Sequence, residues 1–129
     1  MQLLKSIHHI AVICSDYKKS KHFYTEILGF EIINEQYRKA RDSYKLDLAL
    51  NGNYIIELFS FPGPAARPSN PEACGLRHLA FAVENLDAAV KYLAAKNVEA
   101  EPIRTDELTG KKFTFFRDPD NLPLEFYEA

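Results

Sequence analysis

HHIAVICSD, residues 8–16, and RHLAFAVEN, residues 77–85, align at an offset of 69 that carries His9 onto His78. A second pair follows at an offset of 68: YIIELF (54–59) aligns with LPLEFY (122–127) and carries Glu57 onto Glu125. The identity is weak, but each half brings one His and one Glu to matching places. A long internal period points to two copies of one supersecondary unit.

The segments around these anchors agree. HHIAVIC is β-branched and apolar without a breaker, so it reads as a strand. SDYKKSKHFYTEILGF reads as a helix, capped by Ser15 or Asp16 and stopped at Gly29, with Phe23, Tyr24, Ile27 and Leu28 at helical spacing. FEIINEQYR, DSYKLDLAL and NYIIELFSF are three strands, with NGN (51–53) as a hairpin turn between the last two. PGPAARPSNPEACG holds four of the seven prolines and reads as a linker. The order then repeats. LRHLAFAV is a strand and NLDAAVKYLAAKN a helix with Asn85 as N-cap. VEAEPIR, KKFTFFR and LPLEFYE are strands, with DPDN as the last turn. The expectation is an α+β chain of two βαβββ modules, residues 1–60 and 76–129, joined by a linker at 61–75, together making one domain.

Composition sets the class. The 129 residues are 47% hydrophobic and 26% charged, enough to bury a core without staples. Sixteen basic and 18 acidic residues give a net charge of −2, which argues against nucleic acid or an anionic membrane as partner. Cys14 and Cys74 are far apart and in no metal spacing, Cys14 reading as a buried thiol. A reducing, cytoplasmic setting follows. MQLLKSI is too short for a signal sequence, and no apolar run is long enough to span a bilayer.

Strand alternation sorts the faces. His9 shares a face with Ala11 and Ile13, whereas His8 goes with Ile10, Val12 and Cys14. His78 shares a face with Ala80 and Ala82, opposite Leu79, Phe81 and Val83. Bulky residues suit packing against a helix, and small ones beside a histidine leave room for a cavity. His8, whose counterpart is Arg77, is expected to be structural. Taken alone, Glu57 and Glu125 would each fit the solvent face of an edge strand, and a lone His would fit a hydrogen-bonded imidazole. Their joint recurrence favours a metal site, because a carboxylate inside an apolar strand needs a partner or an ion. Two imidazoles and two carboxylates would balance a divalent cation, and mixed N/O ligands suit Zn, Ni, Co, Mn or Fe(II). Such a shell leaves two positions for substrate oxygens, where a metal lowers the barrier to removing a proton from carbon. A carboxylate that loosens can be the base.

On HHIAVICSDYKKSKHFYTEILGFE, IIELF, LRHLAFAVENLDAA and DPDNLPLEFYE, the chain resembles the vicinal oxygen chelate superfamily of glyoxalases, bleomycin-resistance proteins and dioxygenases, and within it the small bacterial glyoxalase I-like proteins. The resemblance implies a curved mixed sheet around a metal-binding cavity with helices outside, and a homodimer. It implies His9, Glu57, His78 and Glu125 as metal ligands, with Glu125 the mobile ligand and catalytic base and Glu57 serving the opposite face. The implied activity is that of a metal-dependent lyase or isomerase of the lactoylglutathione lyase type, acting on a small molecule through a metal-bound enediolate. An Fe(II)-dependent extradiol-type dioxygenase is the alternative that Glu57 argues against. A metal-free binding or resistance protein is the one that all four ligands argue against. The family's glutathione-binding Arg on the first strand is Ile13 here, and its Asn after the fourth strand is Phe61, which leaves glutathione dependence open.

Other candidates are weaker. Arg38, Arg41 and Lys45 surround a turn and read as an ordinary charged hairpin rather than an anion clamp. Arg67 reads as a solvated loop residue rather than a group closing over substrate. His22 is expected to be exposed, and Arg77 to face away from His78. Tyr54 is expected on the face opposite Glu57. Tyr127 shares the face of Glu125 and could line the cavity.

Overall fold

Alternation in IAVIC buries Val12 and Cys14 and leaves Ala11 and Ile13 exposed, which makes Ile10–Cys14 a one-faced strand, β1. The computed structural model describes residues 1–129 and divides into two compact units, Met1–Ala65 and Ala66–Ala129. The first unit runs β1, helix α1 (Tyr17–His22), β2 (Glu31–Arg38), β3 (Ser43–Leu50) and β4 (Asn53–Ser60). The second runs β5 (Leu79–Val83), helix α2 (Leu86–Ala95), β6 (Arg104–Thr105), β7 (Lys112–Arg117) and β8 (Pro123–Glu128). Each unit forms its own four-stranded mixed sheet, in the orders β1-β4-β3-β2 and β5-β8-β7-β6. The α+β assignment and the two βαβββ modules hold.

The helix caps explain where each crossover starts. Asp16, not Ser15, caps α1, its side chain accepting from the Lys19 N–H, and Asn85 caps α2 by accepting from the Ala88 N–H. The first helix widens into a π-helical turn over Phe23–Ile27, where the Leu28 N–H reaches the Phe23 carbonyl. Gly29 then leaves the helix at φ +84, a conformation a side chain would strain. Phe23 and Tyr24 are buried on this turn, as are Leu86 and Leu93 on α2.

In the first unit the core face of the sheet carries Val12, Cys14, Leu46, Leu48, Ile56 and Leu58, all buried. In the second it carries Thr114, Phe116, Leu124 and Phe126. Asn51 and Gly52 both take positive φ, so NGN makes the tight β3–β4 hairpin the sequence predicts. DPDN closes β7–β8, with the Asp118 carboxylate accepting from the Asp120 and Leu122 N–H groups.

Two expectations change. VEAEPIR does not form a long strand: only Arg104–Thr105 pairs with β7. Pro102 has no N–H to offer, and upstream the Glu101 N–H bonds alone to the Phe115 carbonyl. The strands at the two histidines begin later than read, at Ile10 rather than His8 and at Leu79 rather than Leu76, so His8, His9, Arg77 and His78 lie in the approach to the ladders.

Candidate metal centre

In both units the fourth strand lies parallel to the first in the same register. Ala11 stands opposite Glu57, and Ala80 opposite Glu125. A histidine two residues before each alanine therefore arrives beside a glutamate. The His9 Nε2 lies 3.5 Å from Glu57 Oε1, and the His78 Nε2 lies 3.2 Å from Glu125 Oε1. The glutamates are largely buried, at 15% and 13% side-chain exposure, and the histidines are 35% and 29% exposed. No group of three or more metal-ligating side chains occurs in one place; what the chain builds is two His–Glu pairs.

The spacing suits a metal. Two donors bound to one ion at about 2.1 Å each, in neighbouring positions, stand about 3 Å apart. One imidazole and one carboxylate per pair give a mixed N/O donor set with one negative charge. The Nδ1 of His78 is buried with no hydrogen-bond partner. Its Nε2 is therefore the working nitrogen. In the first unit the Nδ1 of His9 lies 2.8 Å from the Nδ1 of His8. With the lone pair of His9 at Nε2, its Nδ1–H donates to His8, an orienting contact that fixes the tautomer. The expectation that His8 is turned away fails because strand alternation has not yet begun at these residues.

The surroundings of the two glutamates differ. Glu57 sits across β3 from Asp47, with Lys45 opposite Phe59 on the same face. Lys45 donates to both Asp47 oxygens at 2.7 and 2.9 Å and lies 3.4 Å from Glu57 Oε2. The Tyr54 hydroxyl donates to the same Glu57 Oε2 at 3.1 Å and reaches Asp47 at 3.2 Å. The Tyr54 ring also stacks on His9, centroids 5.3 Å apart. The hydrogen bond to Asp47, followed by those to Glu57, raises the Lys45 pKa and keeps the ammonium charged. Burial, followed by the hydrogen bond to Glu57, pushes the Tyr54 phenol well above its usual value. Both groups stay donors.

Tyr54 thus shares the Glu57 face, contrary to simple alternation. Leu48 pairs with Ile56 but Ala49 with Tyr54, so Ile55 is an extra residue in β4. This bulge turns Tyr54 back towards Glu57. The second unit has no such bulge. There Glu125 stands opposite Phe115, and Tyr127 opposite Phe113. Phe115 meets His78 edge to face at 5.1 Å. The Glu125 carboxylate has His78 as its sole ion-pair partner.

The remaining candidates disperse. Arg38 bonds Ser43 at 2.9 Å and stacks over Phe59, 4.8 Å from the ring centre. Arg41 is exposed on the turn, and Lys45 belongs to the Glu57 cluster, so the three make no clamp. Arg67 is tied to the carbonyls of Leu76 and Arg77 at 2.7 and 3.0 Å and is not a free loop cation. The Tyr127 hydroxyl is held by Thr109 and by Asp106, the latter at 2.8 Å. His22 is exposed, as expected. Arg77, expected to face away from His78, lines one cleft with it, because both precede β5. Lys45 and Asp47 could not have been placed from the NGN hairpin, because the bulge at Ile55 shifts their register against Glu57 by one residue. The bulge that recruits Tyr54 leaves no sequence signal.

Comparisons with known proteins agree with this architecture. An uncharacterized protein of Bacillus subtilis, YwkD, is 69% identical, covering 98% of both chains. The crystal structure of a glyoxalase family protein from Enterococcus faecalis superposes with a TM-score of 0.92 at 48% identity, over 98% of this chain and all of that one. More distant relatives include the metallothiol transferase FosB of Staphylococcus saprophyticus (30% identity over 97% of this chain and 78% of that protein) and a lactoylglutathione lyase of Schizosaccharomyces pombe (29% over 92% and 46%). The family model for the glyoxalase/bleomycin resistance protein/dioxygenase superfamily matches residues 6–126, and this chain, with its duplicated βαβββ module, belongs to that superfamily.

Proposed function

We propose that the protein is a divalent-metal-dependent lyase or isomerase of glyoxalase I type. It would move a proton between adjacent carbons of a small α-hydroxy- or α-ketocarbonyl compound. The observation that carries this is the recurrence of one His–Glu pair, in one register, in both modules. The two pairs, His9 with Glu57 and His78 with Glu125, would supply a neutral donor set of two imidazoles and two carboxylates, a mixture that suits Zn, Ni, Co, Mn or Fe(II). A bound ion would act as a Lewis acid on adjacent substrate oxygens and raise the acidity of the neighbouring C–H.

The residues divide the work. Glu57 is held at one oxygen by Lys45 and Tyr54, which suits a permanent ligand. Glu125 lies opposite a phenyl ring and is tied only to His78, so it can swing away and take a proton from carbon. Returning that proton to the adjacent carbon completes an isomerisation with no other reactant. A named lactoylglutathione lyase and a metallothiol transferase among the relatives favour metal chemistry on a thiol adduct. The first-strand position for a glutathione-binding Arg is the exposed Ile13, so the thiol is open to test. We place the reaction in the cytoplasm, in a homodimer. No helix is long and apolar enough to cross a membrane.

Elemental analysis of purified wild type beside His9→Ala, Glu57→Gln, His78→Ala and Glu125→Gln tests the ligand set. Stoichiometric metal in wild type, reduced in the histidine variants, is expected; full metal in all four variants overturns the assignment. Methylglyoxal with glutathione or other thiols tests the reaction. Inactivity of fully loaded protein with every thiol removes the glyoxalase label. Oxygen uptake with catechols would move the protein to the dioxygenases.

A further inference from the structure

The second unit contains a cleft of about 910 Å³ whose wall includes His78, Arg67, Arg77, Arg104 and Arg117. Four arginines against two glutamates, Glu72 and Glu101, give this wall a net charge of +2 in a chain whose net charge is −2. We propose that the cleft is an oxyanion site, in which Arg104 and Arg117 hold a phosphate or carboxylate group of the substrate beside His78. The proposal rests on the metal-lyase reading only in calling the bound molecule a substrate.

The guanidinium groups are pre-arranged. Glu101 sits between them, its Oε1 3.5 Å from Arg104 and its Oε2 3.1 Å from Arg117. One carboxylate thus faces two cations and leaves positive charge unmatched. Arg104 also lies over Phe113 and Phe115, at 5.0 and 5.6 Å from the ring centres. Phe115 in turn meets His78 edge-on, so a single ring separates the guanidinium from the imidazole. Arg67, also lining the cleft, is fixed by bonding the carbonyls of Leu76 and Arg77. Arg77 is paired with Glu72, both of them lining the cleft. A planar guanidinium pair matches the oxygens of phosphate or carboxylate, and a volume of this size accommodates a substrate larger than the reacting carbons alone. Glu101 would be the internal competitor that the ligand displaces.

The test measures binding of inorganic phosphate and of malonate to the full-length protein by calorimetry at low salt. Saturable binding is expected, weakened at least about tenfold in Arg104→Met and Arg117→Met. Arg104→Lys should bind weakly, because it keeps the charge but loses the fork. Glu101→Gln should bind several-fold more tightly than wild type, a gain that neither misfolding nor a merely structural Glu101 would produce. Lys91→Met, on the exposed face of α2, should match wild type. Stronger phosphate than malonate binding assigns a phosphorylated substrate, and the reverse a carboxylated one. No binding of either anion, arginine variants equal to wild type, or a Glu101→Gln variant that does not gain, overturns the proposal. His9→Ala lies in the other unit and should keep anion binding whether or not metal is lost, so failure of the metal reading and failure of the cleft are separable.

Discussion

Glu57 and Glu125 occupy the same place in two copies of one sheet, yet their neighbours are unlike. Across from Glu57 stand Asp47 and, two residues along, Lys45; across from Glu125 stand Phe115 and Phe113. The repeated module carries the same carboxylate twice, and the adjacent strand gives one copy a polar clasp and the other an apolar wall. A carboxylate in a hydrogen-bond network keeps its position, whereas one beside phenyl rings has little to hold it when substrate arrives.

Four experiments would break or sharpen this contrast. The largest effect should be on turnover. Glu125→Gln should lower kcat about 10²–10⁴-fold while metal is retained, as expected for loss of a general base. Glu57→Gln should show its main effect in metal affinity. Equal behaviour of the two variants would remove the division of roles.

Next in size are the cores beneath the two glutamates. Ile56→Ala and Leu124→Ala, both fully buried at matching places, should each cost about 2–5 kcal/mol in urea denaturation. A loss under about 1 kcal/mol in either would mean that its sheet is not held by that face.

Lys45→Met and Tyr54→Phe should lower metal affinity about tenfold, read by chelator competition, since partners behind a ligand orient it. Phe115→Leu, the counterpart of Asp47, should leave affinity near wild type. Matching losses in both modules would show that the clasp is not special to the first.

The smallest effect concerns the crossovers. Asp16→Ala and Asn85→Ala remove equivalent caps and should each cost about 1 kcal/mol in thermal or urea unfolding. A much smaller cost at Asp16 would say that the π-helical turn, not the cap, anchors α1.

Much of this was legible in the sequence. The internal repeat singled out His9, Glu57, His78 and Glu125, and the structure brings His9 beside Glu57 and His78 beside Glu125 through parallel pairing of the first and fourth strands. His8 and Arg77 were misplaced because alternation was extended two residues beyond the ladders. The Arg104–Glu101–Arg117 cluster was missed because residues 98–104 read as a strand, whereas only Arg104 of that segment joins the ladder. Tyr54 was misplaced because one extra residue at Ile55 reverses the facing of everything before it, and hydrophobicity does not register such an insertion.

The bulge at Ile55 has a consequence in coordination chemistry. By turning the Tyr54 hydroxyl onto Glu57 Oε2, alongside Lys45, it leaves that carboxylate with one oxygen to offer. On the proposed metal reading, Glu57 would bind through one oxygen only. Glu125, with no bulge and no clasp, keeps both oxygens and can change denticity or let go. On that reading, a single inserted residue in the backbone decides which of two identical side chains would be hemilabile.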